Sequence, residues 1–341
     1  TGGLGPTHDD ITSSVLYDYF GVKPEFDESY WKLLTEKFGA RGQVIPDINR
    51  NQAMKPDIGE VISNPIGSAR GLHLSNKSYH LFAMPGVPAE MKSMMTDTIL
   101  PWIESRSKSK IHVTVMRTTG IMESVLYEKV QGVLDDYPQI NVAFLPRFTG
   151  VDIRLTTSDK NTLNRLVDQI SPVIQKYHFG GEGVELEDAV GSLLIKNRKT
   201  IATAESCTGG LIGDRLTNIS GSSLYYKGGI VAYSNSVKEK TIGVKKETLD
   251  SAGSVSEETA LEMARGIRNK LNADIGLSTT GIAGPKGGTK EKPVGLVYIA
   301  ISYDRGEKVY RFTFTPYRKT NKLMTSQAAL NITRIHILNG L

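Results

Sequence analysis

Two stretches of this 341-residue chain gather residue types that can do chemistry. The first is Thr1-Gly2-Gly3-Leu4-Gly5-Pro6-Thr7-His8-Asp9-Asp10. Three glycines within five residues, leading into an amphipathic segment, let the backbone pass close to a ligand and aim free N–H groups at an anion. Asp9 and Asp10 could hold a divalent ion against phosphate oxygens, or could cap the helix that follows. No Gly-Lys-Ser/Thr follows, so this is not a Walker loop.

The second stretch is longer. Ala204-Glu205-Ser206-Cys207-Thr208-Gly209-Gly210 sets small hydroxyl residues at the end of an apolar run and the start of a helix, the usual ligand position in open α/β sheets. Gly221-Ser222-Ser223 and Tyr233-Ser234-Asn235-Ser236-Val237-Lys238 follow, then Thr280-Gly281-Ile282-Ala283-Gly284-Pro285 with Gly287-Gly288-Thr289, and finally Arg318. This is a phosphate-and-hydroxyl set with lysine at hand and almost no histidine. His336 sits in an apolar helical pattern, where a packing position fits better than catalysis. Cys207 beside a helix start could be a thiolate, but no base accompanies it, and a buried small-residue role is preferred. What remains is a serine activated by a lysine, and that lysine must be desolvated or set near other cations to be partly neutral. Spacing alone does not pair Ser223 with Lys238.

The elements that must position these residues fall into three segments. Residues 9–20, 29–38 and 88–102 read as helices, with short strands or turns at 61–67 and 80–86. The polar run 104–110 reads as a domain boundary. Strand 111–118, helix 122–134, strands 141–146 and 152–157 and helix 160–177 form a small α+β layer, and 179–183 is a second linker. Beyond it come helix 186–196, strand 200–204, a helix to about 217, strand 229–233, a helix opened by Ser256, strand 275–280, strands 294–302 and 307–315, and helix 320–338. That alternation predicts a three-layer α/β domain.

Composition narrows the classes. The formal charge of +5 is modest, but residues 184–341 carry 22 basic and 15 acidic residues, a balance of +7, whereas residues 1–183 carry 19 and 21. A basic back half suits a discrete anionic ligand better than a long polyanion. The single cysteine excludes an internal disulfide and a Cys-based zinc cluster and fits a reducing, cytoplasmic compartment; no apolar run suggests a membrane span or signal peptide.

Beyond spacing, Thr1–Thr12 resembles the signature of the molybdopterin-binding-like domain that opens the CinA family (competence/damage-inducible protein). Asn64-Pro65-Ile66-Gly67-Ser68-Ala69 and Met84-Pro85-Gly86-Val87-Pro88-Ala89-Glu90-Met91 resemble that domain's later loops. The resemblance implies metal-dependent ADP-ribose pyrophosphatase chemistry, with Gly2, Gly3, Gly5, Thr7 and Asp9 around phosphates and Asp10 on a divalent metal. The family's βα units before this motif are absent here. Arg117-Thr118-Thr119-Gly120-Ile121-Met122-Glu123-Ser124 and Gly150-Val151-Asp152-Ile153-Arg154-Leu155-Thr156 resemble the family's KH-like linker domain. With 8 basic and 8 acidic residues over 110–182, and no Gly-x-x-Gly loop between its helices, a spacer or dimerisation role is preferred to nucleic-acid binding.

Residues 184–341 resemble the family's C-terminal domain, a nicotinamide mononucleotide (NMN) amidohydrolase. That resemblance implies a Ser223–Lys238 dyad assisted by Tyr233, with Ser206, Thr208, Gly209, Gly210, Thr280, Gly281, Gly284 and Arg318 binding substrate, and it implies deamidation to nicotinate mononucleotide with no cofactor. The family's Gly-Asp-Arg reads Pro316-Tyr317-Arg318 here. The expected architecture is therefore an α/β multidomain chain. It comprises a three-layer αβα molybdopterin-binding-like domain at 1–105, incomplete at its start, a KH-like α+β domain at 110–180 and a three-layer α/β CinA domain at 184–341. Expected partners are the small nucleotides NMN and ADP-ribose, with a homodimer suggested by the family and no membrane. The non-enzymatic alternative is a nucleotide-binding or competence-related scaffold.

Overall fold

The computed structural model describes residues 1–107 and 110–340. Lys108 and Ser109, within the expected boundary at 104–110, lie outside the described residues, as does Leu341. The chain divides into two compact units, Thr1–Lys110 and Ile111–Leu341.

In the first unit, helices α1 (Thr12–Phe20) and α2 (Glu28–Gly39) flank strand β1 (Pro24–Phe26), which pairs antiparallel with β2 (Met54–Pro56). Strands β3 (Glu60–Ile62), β4 (Gly71–Ser75) and β5 (His80–Ala83) make an antiparallel sheet. The helical stretch expected at 88–102 is α3 (Pro88–Met94) and α4 (Leu100–Glu104), joined by one π-helical turn at Met95–Ile99. Leu4 and Tyr17 pack with Leu72, Leu74 and Ala83, so the glycine-rich loop is anchored by its only large apolar side chain.

The second unit opens with β6 (His112–Thr118), α5 (Glu123–Leu134), β7 (Asn141–Arg147), β8 (Gly150–Thr157) and α6 (Lys160–Ile174), close to the expected limits. Residues read as linker instead extend the sheet, because β9 (His178–Gly180) pairs with β6 and gives the order β7-β8-β6-β9. Asp159 starts α6 by accepting from the N–H groups of Asn161 and Thr162. Leu126, Val130, Leu163, Leu166 and Ile170 bury the inner faces of α5 and α6 against Ile153 and Leu155.

Next come α7 (Leu186–Lys196), β10 (Ile201–Glu205), α8 (Leu211–Thr217), β11 (Tyr226–Val231), α9 (Asn235–Ile242), α10 (Lys246–Ser251), α11 (Glu257–Lys270), β12 (Ile275–Gly281), β13 (Leu296–Tyr303), β14 (Gly306–Thr313) and α12 (Arg318–Leu338). The sheet order is β11-β10-β12-β13-β14, parallel through β11, β10 and β12 and antiparallel beyond. Side chains alternate along β10. Ile201 faces a core with Leu186, Val190, Ile212, Leu216 and Leu330 from α7, α8 and α12, while Ala202 and Ala204 face Ile242, Met263 and Ile267 from α9 and α11. This is the expected three-layer arrangement. It carries the carboxyl ends of β10 and β12 side by side, with the N–H of Ser206 donating to Thr279 O at 2.9 Å.

Candidate active site

The end of β10 becomes a helix through one buried acid. Glu205 is 1% exposed, and its carboxylate accepts from the N–H groups of Gly210, Ile212 and Gly213 at 3.0, 3.1 and 2.9 Å. Those are donors that the first turn of α8 would otherwise leave unpaired. Ser206, the next residue, is thereby held at the sheet's edge.

Past β11, Ser234 caps α9 by accepting from Val237 N–H at 3.3 Å. The cap turns Lys238 inward, to 1% exposure. Its amine contacts Ser206 Oγ at 3.1 Å, Ala232 O at 2.8 Å and Tyr233 O at 3.2 Å. No carboxylate pairs with it among the described residues, and burial lowers its pKa below the ordinary 10.5. The amine donates to all three oxygens, and loss of one proton would leave its lone pair aimed at the Ser206 hydroxyl. Burial pushes the Cys207 thiol up to about 12, which keeps it protonated beside this pair.

Ser206, Cys207, Tyr233, Lys238, Ser254, Val255, Thr280, Gly281, Ala283 and Arg318 line one pocket of about 180 Å³. Thr280 donates to Ser254 O at 2.6 Å, tying the end of β12 to the segment before α11. At the mouth the Arg318 guanidinium donates to Tyr233 Oη at 3.0 Å and to Gly284 O at 3.1 Å. Tyr233 is 63% exposed, so a cation and a phenol face solvent above a buried serine–lysine contact.

Of the residues singled out in the sequence, the structure brings together Ser206, Tyr233, Lys238, Thr280, Gly281 and Arg318, with Gly284 beside them. It does not bring Ser223 there. Ser223 is exposed in the turn Ser222–Leu224 before β11, whereas Lys238 follows that strand's far end. The six residues of β11, roughly 20 Å of strand at about 3.3 Å each, run between the turn that holds Ser223 and the segment that leads to Lys238. The serine in contact with Lys238 is therefore Ser206, not Ser223. Thr208 is buried and shares a hydrogen bond with Thr279 at 2.7 Å. Gly209 and Gly210 serve the turn into α8, so these three do not line the pocket. Ser254 and Val255 do line it and carried no signal except proximity to the Ser256 cap.

In the first unit Gly2 and Gly3 adopt positive φ, as a loop this tight requires. Thr7 closes it: its N–H donates to Asp10 at 3.0 Å, and its hydroxyl reaches Asp10 and Asp9 at 2.7 and 2.6 Å. The Thr7 hydroxyl, with the Gly5 and Thr7 amides, holds the Asp10 carboxyl below its ordinary value. A Cβ on Gly5 would lie 2.4 Å from Asp10 Oδ2, so that glycine makes room for the loop's own acid. Neither aspartate caps α1, which starts at Thr12 behind an uncapped Ile11. Among the described residues no group of three or more His, Cys, Asp and Glu side chains converges anywhere. Two carboxylates already committed to Thr7 do not make a divalent-metal cradle.

Comparison with known proteins now places the chain. Family models match as the probable molybdopterin binding domain over residues 1–105, the damage-inducible protein CinA KH domain over 113–180 and the CinA C-terminal domain over 184–337. A CinA-like protein of Chloroherpeton thalassium is 43% identical over all of this chain and 84% of its own length. The chain belongs to the CinA family. A putative competence-damage inducible protein of Halothermothrix orenii is 40% identical over 96% of this chain and 81% of its own. The crystal structure of competence/damage inducible protein CihA from Agrobacterium tumefaciens is 40% identical; the match covers 43% of this chain and 90% of that one, with a TM-score of 0.42. The CinA family models for the KH and C-terminal domains divide at the second linker, yet both lie in one compact unit.

Proposed function

We propose that the C-terminal CinA domain is an amidohydrolase that deamidates nicotinamide mononucleotide through Ser206 and Lys238. The observation that carries this reading is the buried, acid-free contact of Lys238 Nζ with Ser206 Oγ at 3.1 Å. Pocket size supports the substrate class. At about 180 Å³ it takes a pyridine-carboxamide ring but not a whole nucleotide, whose recognition needs several hundred Å³. The ribose phosphate would remain at the mouth, where Arg318 offers charge-assisted hydrogen bonds.

In the reaction Ser206 Oγ attacks the carboxamide carbon as its proton passes to neutral Lys238. The ammonium formed returns that proton to the departing nitrogen, so ammonia leaves and a Ser206 ester remains. Lys238, neutral again, takes a proton from water. The hydroxide adds to the ester carbon, and the proton returns to Ser206 as nicotinate mononucleotide is released. Ser206's own N–H is engaged with Thr279 O and does not serve the oxyanion.

The test is ammonia release from NMN by wild type and by Ser206→Ala, Lys238→Ala and Ser223→Ala. The first two variants are expected to lose at least about a hundredfold in kcat/KM, and the third to keep most of it. An inert wild type overturns the amidohydrolase reading. Activity in Ser206→Ala but not Ser223→Ala overturns the assignment of the nucleophile.

A further inference from the structure

The largest of the cavities described, about 860 Å³, lies away from the serine–lysine pocket, at the seam between the KH-like layer and the C-terminal layer of the second unit. Its walls come from α6 and β9 on one side and from α7 and α12 on the other. Phe179, Val184, Leu193 and Leu338 make it partly apolar, and Ser192 stands exposed at its rim. Arg334 lines it while being only 2% exposed.

Arg334 differs from the other buried arginines. Arg117, 6% exposed, meets Asp152 and Glu185; Arg215, 8% exposed, meets Glu187. Arg334 has no carboxylate partner among the described residues. Its donors reach only neutral oxygens: Asn331 Oδ1 twice, His178 O and Lys176 O. Four contacts leave one of the five guanidinium N–H groups over. A buried cation without a counter-charge is costly, and burial lowers the pKa of this guanidinium and also that of His178 beside it. Asp188, a carboxylate, also lines the cavity; it accepts from Glu185 N–H at the start of α7 and forms no ion pair with Arg334 among the described residues.

We propose that this seam cavity binds a small organic anion with an apolar body, its carboxylate or phosphate meeting Arg334 and its body lying against Phe179, Leu193 and Leu338. The ligand supplies the counter-charge the fold omits. Because two layers wall the cavity, occupancy also fastens them together. None of this depends on the amidohydrolase reading.

The test uses the full chain and two probes, benzoate and inorganic phosphate, titrated by calorimetry and thermal unfolding at constant ionic strength. Benzoate is expected to bind saturably and raise Tm. Ser192→Glu, an exposed substitution that sets a like charge at the rim, should weaken it roughly tenfold without lowering the Tm of the free protein. Arg334→Met should abolish binding, and Ser192→Glu decides the matter if that variant fails to fold. No binding of either probe, or equal benzoate affinity in wild type and Ser192→Glu, overturns the site. Phosphate binding as tightly as benzoate overturns the apolar half of the recognition.

Discussion

In the proposed reaction Lys238 is the base, and its burial sets a pH dependence. Its folded-state pKa lies below 10.5, so between those values the unfolded chain holds a proton that the folded chain does not. Stability must therefore rise with pH across that window, and the full cost of the buried charge is present below it. We expect wild type to gain stability relative to Lys238→Met as pH climbs from neutral towards 10.5, read by denaturant unfolding of both proteins; a pH-independent difference would contradict a depressed lysine. Deamidation should rise over the lower part of the same range as the amine loses its proton. Cys207 makes the complementary prediction. With its thiol at about 12 and 5% exposure, it should resist alkylation in the native protein and react fully once unfolded, and Cys207→Ala should retain deamidation. Rapid native labelling, by mass spectrometry, would refute this.

The helix that delivers Lys238 is packed backbone to backbone against α11. A Cβ on Gly266 of α11 would stand 1.8 Å from Ile242 O at the end of α9. Gly266→Ala must push α9 outward and carry Lys238 with it, for an expected loss of about 1–3 kcal/mol in unfolding free energy together with falling kcat. Unchanged stability and rate would show that the approach is not needed. Most of these elements were legible beforehand: α7 falls on its expected limits because Leu186, Val190 and Leu194 repeat at helical spacing, and Ser256 opens α11 as read. Helices α9 and α10 were not legible. Asn235–Ile242 buries only Lys238 and Ile242, so it carries no apolar stripe, and a lysine gives no sequence sign that it will turn inward. For the same reason the pocket's members could be named while the serine that meets the lysine could not. Ser206 and Ser223 both sit in small-residue turns, and only the sheet shows that β11 holds Ser223 away.

Across the second unit a buried polar chain joins the layers. Gln327 on α12 donates to Thr119 Oγ1 at 3.2 Å and accepts from Arg215 on α8 at 2.8 Å, and Arg215 in turn meets Glu187 on α7 at 2.6 Å. Removing the acid alone strands a buried guanidinium, so Glu187→Ala should cost about 3–5 kcal/mol, measured by denaturant unfolding. A loss below about 1 kcal/mol would mean Ser326 and Gln327 suffice as partners. The helix that closes this chain also closes the domain, since α12 packs Ala329, Leu330 and Ile337 into the core that Leu186 and Val190 of α7 begin. Its first residue is Arg318, the pocket-lining residue farthest along the chain. During synthesis Ser206 and Lys238 therefore emerge well before the guanidinium at their mouth. Under the proposed reaction the nascent chain holds its nucleophile with no cation at the mouth until α12 folds back onto α7, so anion recognition would be the last part of this site to be made.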